Sequence, residues 1–102
     1  SNLDYQYRNG NQSAKIEVQS EDNSLKLDSA TRVILKLENI APETVTLSAA
    51  NMKMLMKEKT ENSLVLEITA NSEFVEENTY SIRISGKTNG EFWSHRFVIP
   101  VK

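Results

Sequence analysis

The sequence predicts an all-β fold, an antiparallel β-sandwich of about seven short strands. Three observations carry that expectation. Apolar residues recur at every second position in most segments from Ala14 onward, the period of a strand with one dry and one wet face. Turn residues interrupt these segments roughly every ten residues. The last of them form a hairpin pattern: Tyr80, Ile82 and Ile84 share one side of a first strand, and Phe97, Ile99 and Val101 share one side of a second. Asn89-Gly90 between them supplies the positive φ angles of a tight turn.

Taken in order, residues 1–13 are expected to be a tag remnant followed by a linker or a short leading strand, and residues 14–102 the sandwich domain. Ser1-Asn2 stands where a Met or a signal segment would, so the natural protein is expected to be longer. Leu3 to Ser13 is mostly polar, with Tyr5 and Tyr7 two apart and a turn at Asn9-Gly10. A linker is the preferred reading there, and a first hairpin arm the alternative.

Ala14 to Gln19 alternates apolar and charged residues as a first strand, which Glu21 to Ser24 breaks. Leu25 and Leu27 continue it as a short extended piece that changes partner at a bend. Thr31 to Glu38 is a second strand with Val33, Leu35 and Leu37 inward, stopped by Asn39-Ile40-Ala41-Pro42 because proline has no N–H to donate and drives Ala41 away from helix. Thr44 to Ser48 is expected as a third strand with Val45 and Leu47 inward, followed by Met52, Met54 and Met56 alternating with Lys53, Leu55 and Lys57. Leu64, Leu66 and Ile68 then mark another strand. Ala70 to Asn78 alone lacks the period of two, and one helical turn is expected there.

A chain of 102 residues is one domain with one modest core, hiding roughly 60 to 70% of its unfolded surface. Its net charge of −2 gives no concentration of Lys and Arg, so neither nucleic acid nor anionic lipid is an expected partner. Apolar runs stop at three or four residues, far short of a membrane-spanning helix, so no membrane insertion by this segment is expected. The absence of cysteine removes disulfides, thiolate metal sites and cysteine nucleophiles together, and leaves the compartment open.

Catalytic chemistry finds little foothold. His95 is the only histidine, no serine lies in a nucleophile-elbow context, and His95 shares its pleat phase with Trp93 and Phe97, as a half-buried residue of the final strand would. Glu21-Asp22 and Glu76-Glu77 are neighbours in loops, where solvated turns are the usual explanation and a loose Ca²⁺ contact the rarer one. Met52, Met54 and Met56 are soft thioethers of the kind that select Cu(I), yet their alternation with Lys53 and Lys57 is equally that of a core-facing strand. Asn11-Gln12-Ser13 matches a glycosylation acceptor, a pattern that arises often by chance. Three scattered glycines make no phosphate loop. Tyr5, Tyr7, Phe92 and Trp93 are candidates for a sugar-binding platform, although Phe92 and Trp93 point to opposite sides of their strand.

Glu76-Glu77-Asn78-Thr79-Tyr80-Ser81-Ile82-Arg83-Ile84 resembles the penultimate strand of immunoglobulin-like and fibronectin-type domains. In that likeness Tyr80 opens the strand and ties its hydroxyl to the preceding loop. The Asn89-Gly90 turn and the closing Arg96 to Val101 strand fit the same pattern. The resemblance implies an Ig-like sandwich over Ala14 to Lys102, and departs from antibody domains in having no cysteine pair and its only tryptophan, Trp93, on the last strand. Leu35 to Leu47 further resembles tandem sandwich modules of Bacteroidetes cell-envelope proteins, including the shaft of the gliding-motility and type IX secretion motor, whose modules space and contact neighbours.

The combined expectation is a non-enzymatic structural or interaction module of a larger cell-envelope or secreted protein, extracytoplasmic (periplasmic, cell-surface or secreted). Its partners would be other protein domains. No catalytic residue, cofactor or metal is assigned, and the candidate interaction surface is Phe92, Trp93 and His95. The alternative is a ligand-binding module, for carbohydrate through exposed aromatics or for Cu(I) through Met52, Met54 and Met56.

Overall fold

In the computed structural model, which describes residues 2–102, the chain forms two antiparallel sheets. The strands are β1 (Gln6–Asn9), β2 (Gln12–Val18), β3 (Ala30–Glu38), β4 (Thr46–Ser48), β5 (Met52–Met54), β6 (Ser63–Thr69), β7 (Thr79–Thr88) and β8 (Glu91–Pro100). One sheet has the order β1-β2-β3-β6-β5 and the other β4-β7-β8. The predicted sandwich is thus observed, with eight strands in place of about seven.

The two-residue period decides which side chains are buried. Ala14, Ile16 and Val18 of β2, Val33, Leu35 and Leu37 of β3, and Leu64, Leu66 and Ile68 of β6 face Tyr80, Ile82 and Ile84 of β7 and Phe97 and Ile99 of β8 in one cluster. A one-residue slip would turn each set out to water, so burial itself fixes the registers, such as Ile16 opposite Leu35 and Val33 opposite Leu66. Asn89 (φ 52°) and Gly90 (φ 81°) make the predicted turn, and the β7–β8 register runs from Thr88 opposite Glu91 to Thr79 opposite Pro100 without a bulge.

The preferred linker reading of Leu3 to Ser13 is corrected in favour of its alternative, a first hairpin arm. Asp4 exchanges both backbone hydrogen bonds with Val98 of β8 (3.0 and 2.9 Å), Tyr5 accepts one from Ile16 N (2.9 Å), and β1 pairs with β2. The sandwich therefore begins well before Ala14. The physical reason for the miss is that β1 is an edge strand on which only Tyr7 packs against the core, while Gln6, Arg8 and Asn9 are not apolar. Such a strand carries no alternation to read. Ser1, part of the expected tag remnant, lies outside the described residues.

The expected change of partner after β2 occurs. Beyond Gln19, whose N–H still donates to Arg32 O (2.9 Å), the chain leaves the five-stranded sheet, and Leu25 and Leu27 run beside the end of the other one, Leu25 N donating to Pro100 O (2.9 Å) and Leu27 N to Lys102 O (2.8 Å). Three smaller expectations need adjusting. Pro42–Thr44 forms a 3-10 turn, so β4 starts at Thr46 and not Thr44. β5 ends at Met54, because the chain turns at Leu55 into a second 3-10 turn over Met56–Glu58, where Glu58 meets Arg32 at 2.7 Å. Tyr80 is buried as expected, but its hydroxyl donates to the Ala50 carbonyl between β4 and β5, not to the loop just before its own strand. Burial pushes its pKa up to about 12, which keeps it a donor. The single helical turn expected in Ala70 to Asn78 is present at Ser72–Phe74.

Candidate functional site

β8 divides the candidate surface in two. Its odd residues, Trp93, His95 and Phe97, turn toward the sandwich interior, and its even residues, Phe92, Ser94 and Arg96, turn to solvent. Phe92, Trp93 and His95 are accordingly not one surface.

On the inner side Trp93 is half-buried. Its ring stacks on Tyr7 with centroids 4.6 Å apart and planes 9° from parallel. Beneath it lies Gly86, where an added Cβ would stand 2.9 Å from Trp93 Cζ2, so only glycine lets the indole sit so near the backbone. Its Nε1 is buried with no hydrogen-bond partner. His95 follows, edge-on to Phe97 (5.0 Å) and 5.3 Å from Tyr7. Its Nε2 lies 2.8 Å from Asp4 Oδ1. Asp4 is set there by its paired backbone bonds to Val98, so the contact fastens the leading segment to β8. A surface groove of about 690 Å³ lies over Arg8, Lys15, Lys36 and Glu38, away from His95.

On the outer side Phe92 is 70% exposed. The register places Lys87 opposite Phe92, Ser85 opposite Ser94 and Arg83 opposite Arg96. Like charges directly opposite each other are unfavourable, and no carboxylate among the described residues lies within ion-pair reach of either arginine. Arg83 Nη1 donates to Ser94 Oγ at 3.2 Å. Glu76 and Glu77 border only a small recess at the far end of Arg96, about 150 Å³. Along the free side of β8, Val98 is bridged by Asp4, and among the described residues nothing comparable caps Phe92, Ser94 or Arg96.

The other candidates disperse. Met52 and Met54 are half-buried against the core, whereas Met56 is 62% exposed, so the three thioethers do not form one strand face. Tyr7 and Trp93 cover each other, and Tyr5 donates its hydroxyl to Asn23 O (2.7 Å), leaving Phe92 as the open member of the aromatic platform. Asp22 accepts from Ser24 Oγ (2.5 Å) and Lys102 Nζ (3.1 Å), the hydroxyl first and the ammonium second holding its carboxyl at about 2. Asn11 is exposed on the β1–β2 turn.

Sequence reasoning missed Asp4, the stacking of Tyr7 on Trp93 and the Arg83–Arg96 pair. The first two meet β8 across the whole chain and leave no local signal. The third was available, because counting outward from Asn89-Gly90 gives the pairing. Scans against protein families, curated proteins and solved structures found no match to this chain.

Proposed function

We propose that this chain is an immunoglobulin-like module of a larger cell-envelope or secreted protein and acts by contact with other protein domains, without catalysis. Strand order supports the immunoglobulin-like part: β2-β3-β6-β5 against β4-β7-β8 is the arrangement of constant-type immunoglobulin domains, with β1 added at one edge. The likeness of Leu35 to Leu47 to Bacteroidetes envelope modules supports an extracytoplasmic place. The observation that carries the contact role is the outer side of β8, where an exposed Phe92, an arginine pair without carboxylate partners and an uncapped strand edge lie together. Aromatic residues and arginine are the side chains most often central to protein contacts.

The test is photo-crosslinking from position 92 in the parent protein within its own cells. A covalent adduct to a protein, absent when the probe sits at Glu38 on the opposite sheet, is expected. Loss of the adduct at both positions, together with binding on a glycan array that Trp93→Ala abolishes, would reverse the reading in favour of a carbohydrate module.

A further inference from the structure

The contact reading names no partner, and the backbone of β8 narrows the choice. In an antiparallel pair, residues alternate between those bonded to the neighbouring strand and those whose N–H and C=O point away. Val98 bonds outward to Asp4, so Arg96, Ser94 and Phe92, in the same phase, also point outward. Asp4 closes one end of this row, and the Asn89-Gly90 turn closes the other. Among the described residues, what stays open is a window of three residues, symmetric about Ser94. β8 is also ten residues long, unbroken by bulges, and free of proline within the window. Native sheets normally blunt an edge of this length.

We infer that β8 pairs antiparallel with β8 of a second copy of this chain, Ser94 opposite Ser94. The inference rests on the contact-module reading and gives it an occupant. Only that register uses all three open residues in both copies; shifting it by two places would drive one copy's turn against Asp4 of the other. The side chains agree with the backbone. Phe92 of each copy then lies opposite Arg96 of the other, so the exposed ring meets the guanidinium that has no carboxylate, a cation–π pair made twice by the two-fold axis. The two three-stranded sheets join into one continuous sheet. Because each edge is consumed by its own copy, the assembly closes and does not propagate.

Sedimentation velocity tests this on the intact chain. The weight-average mass should rise from 11.6 kDa toward twice that value between about 10 μM and about 1 mM. Backbone amides of Phe92, Ser94 and Arg96 should gain exchange protection with concentration. Ser94→Pro removes an outward-pointing N–H and, within the chain, only the exposed hydroxyl that accepts from Arg83, so it should keep the wild-type far-UV spectrum and stay monomeric. Arg96→Glu should weaken association roughly tenfold. Adding Phe92→Lys to it should restore pairing, since the two altered positions then face each other with opposite charge. A chain that stays monomeric at the highest concentration, or a dimer indifferent to Ser94→Pro, overturns the inference. So does a monomer whose window amides respond only to an added acidic strand peptide, which assigns the edge to a different chain. In each of these cases an adduct from position 92 to another protein would still uphold the contact-module reading.

Discussion

The outer faces of the two sheets are built on opposite rules. On the five-stranded sheet charges of both signs interleave: Lys36 meets Glu17 at 2.6 Å, Arg32 meets Glu58 at 2.7 Å, and Lys53 and Arg32 both lie opposite Glu67. Lys15 faces Lys36 there, but Glu17 answers the second lysine. The edges of that sheet are short, four residues in β1 and three in β5, and each carries a cation, Arg8 or Lys53. On the three-stranded sheet hydroxyls and cations line the outer face, Arg83 stands against Arg96, and although β4 at one edge has three residues, β8 at the other has ten. On the first face, carboxylates stand among the cations. On the second, among the described residues, Arg83 and Arg96 have no carboxylate within ion-pair reach and the free side of β8 has no backbone partner from Phe92 to Arg96, which is where an external contact has most to gain.

The comparison applies to the outsides alone; the inside is shared. Phe97 from one sheet and Leu35 from the other are both fully buried in the same cluster. Phe97→Ala should destabilise by about 3–5 kcal/mol and Leu35→Ala by about 2–5 kcal/mol. Each should shift a single cooperative unfolding transition, seen identically by tryptophan fluorescence and far-UV circular dichroism. Two separated transitions would show that the sheets fold as independent units and would undo the shared-core argument.

Next in size is the inner rim of the three-stranded sheet. Gly86→Ala places a methyl 2.9 Å from Trp93 Cζ2, and Tyr7 stacked on the far side blocks the ring from lifting away. The expected loss is about 1–3 kcal/mol, with a red shift of Trp93 emission as the stack opens. A companion Tyr7→Ala should lessen the cost of Gly86→Ala by freeing the indole, a coupling that a double-mutant cycle measures.

These two sites also separate what the sequence discloses from what it does not. Leu35, Phe97 and the Asn89-Gly90 turn are legible because burial follows a period of two and positive φ requires particular residues. Gly86 reads locally as an ordinary strand glycine. Its purpose depends on Trp93, whose other face depends on Tyr7 at the far end of the chain. Asp4 with His95 is the same case, ninety-one residues apart. Met56 shows a third kind of failure: alternation continued in the sequence past the point where the strand ended, because the ion pair of Glu58 with Arg32 and the turn at Leu55 are tertiary events. Of the candidate surface, the opposing phases of Phe92 and Trp93 were legible; the partners that pack on the two sides of Trp93 were not.

A smaller effect separates the outer faces by sign. Arg83→Thr relieves the facing arginines and suits the hydroxyl row, so it should raise stability by about 0.2–1 kcal/mol at low salt, less as salt screens the repulsion. Glu17→Gln, on the other sheet, breaks the bond to Lys36 that lowers its pKa and should reduce stability slightly. Denaturant midpoints measured at two salt concentrations check both. If the two substitutions shift stability in the same direction, the contrast between the faces is lost.

The smallest expected effect lies where the chain passes from one sheet to the other. Asp22, in the loop between β2 and Leu25, accepts from Ser24 Oγ and from Lys102 Nζ, so it ties the crossing to the end of the three-stranded sheet. These contacts favour the ionised carboxyl and hold it at about 2, below the ordinary value of 3.8. A depressed folded value means that the contribution is fully present above the unfolded value and fades as pH falls through about 2. Asp22→Asn should therefore lower the melting temperature slightly at pH 6, with the deficit shrinking below pH 4 and closing near pH 2. The group is exposed, so solvent and salt both limit its size, and the part due to Lys102 should diminish at high salt while the Ser24 part persists. A deficit unchanged from pH 6 to pH 2 would place the stabilisation in loop geometry alone, and the crossing would then be joined to the second sheet only by the backbone bonds of Leu25 and Leu27.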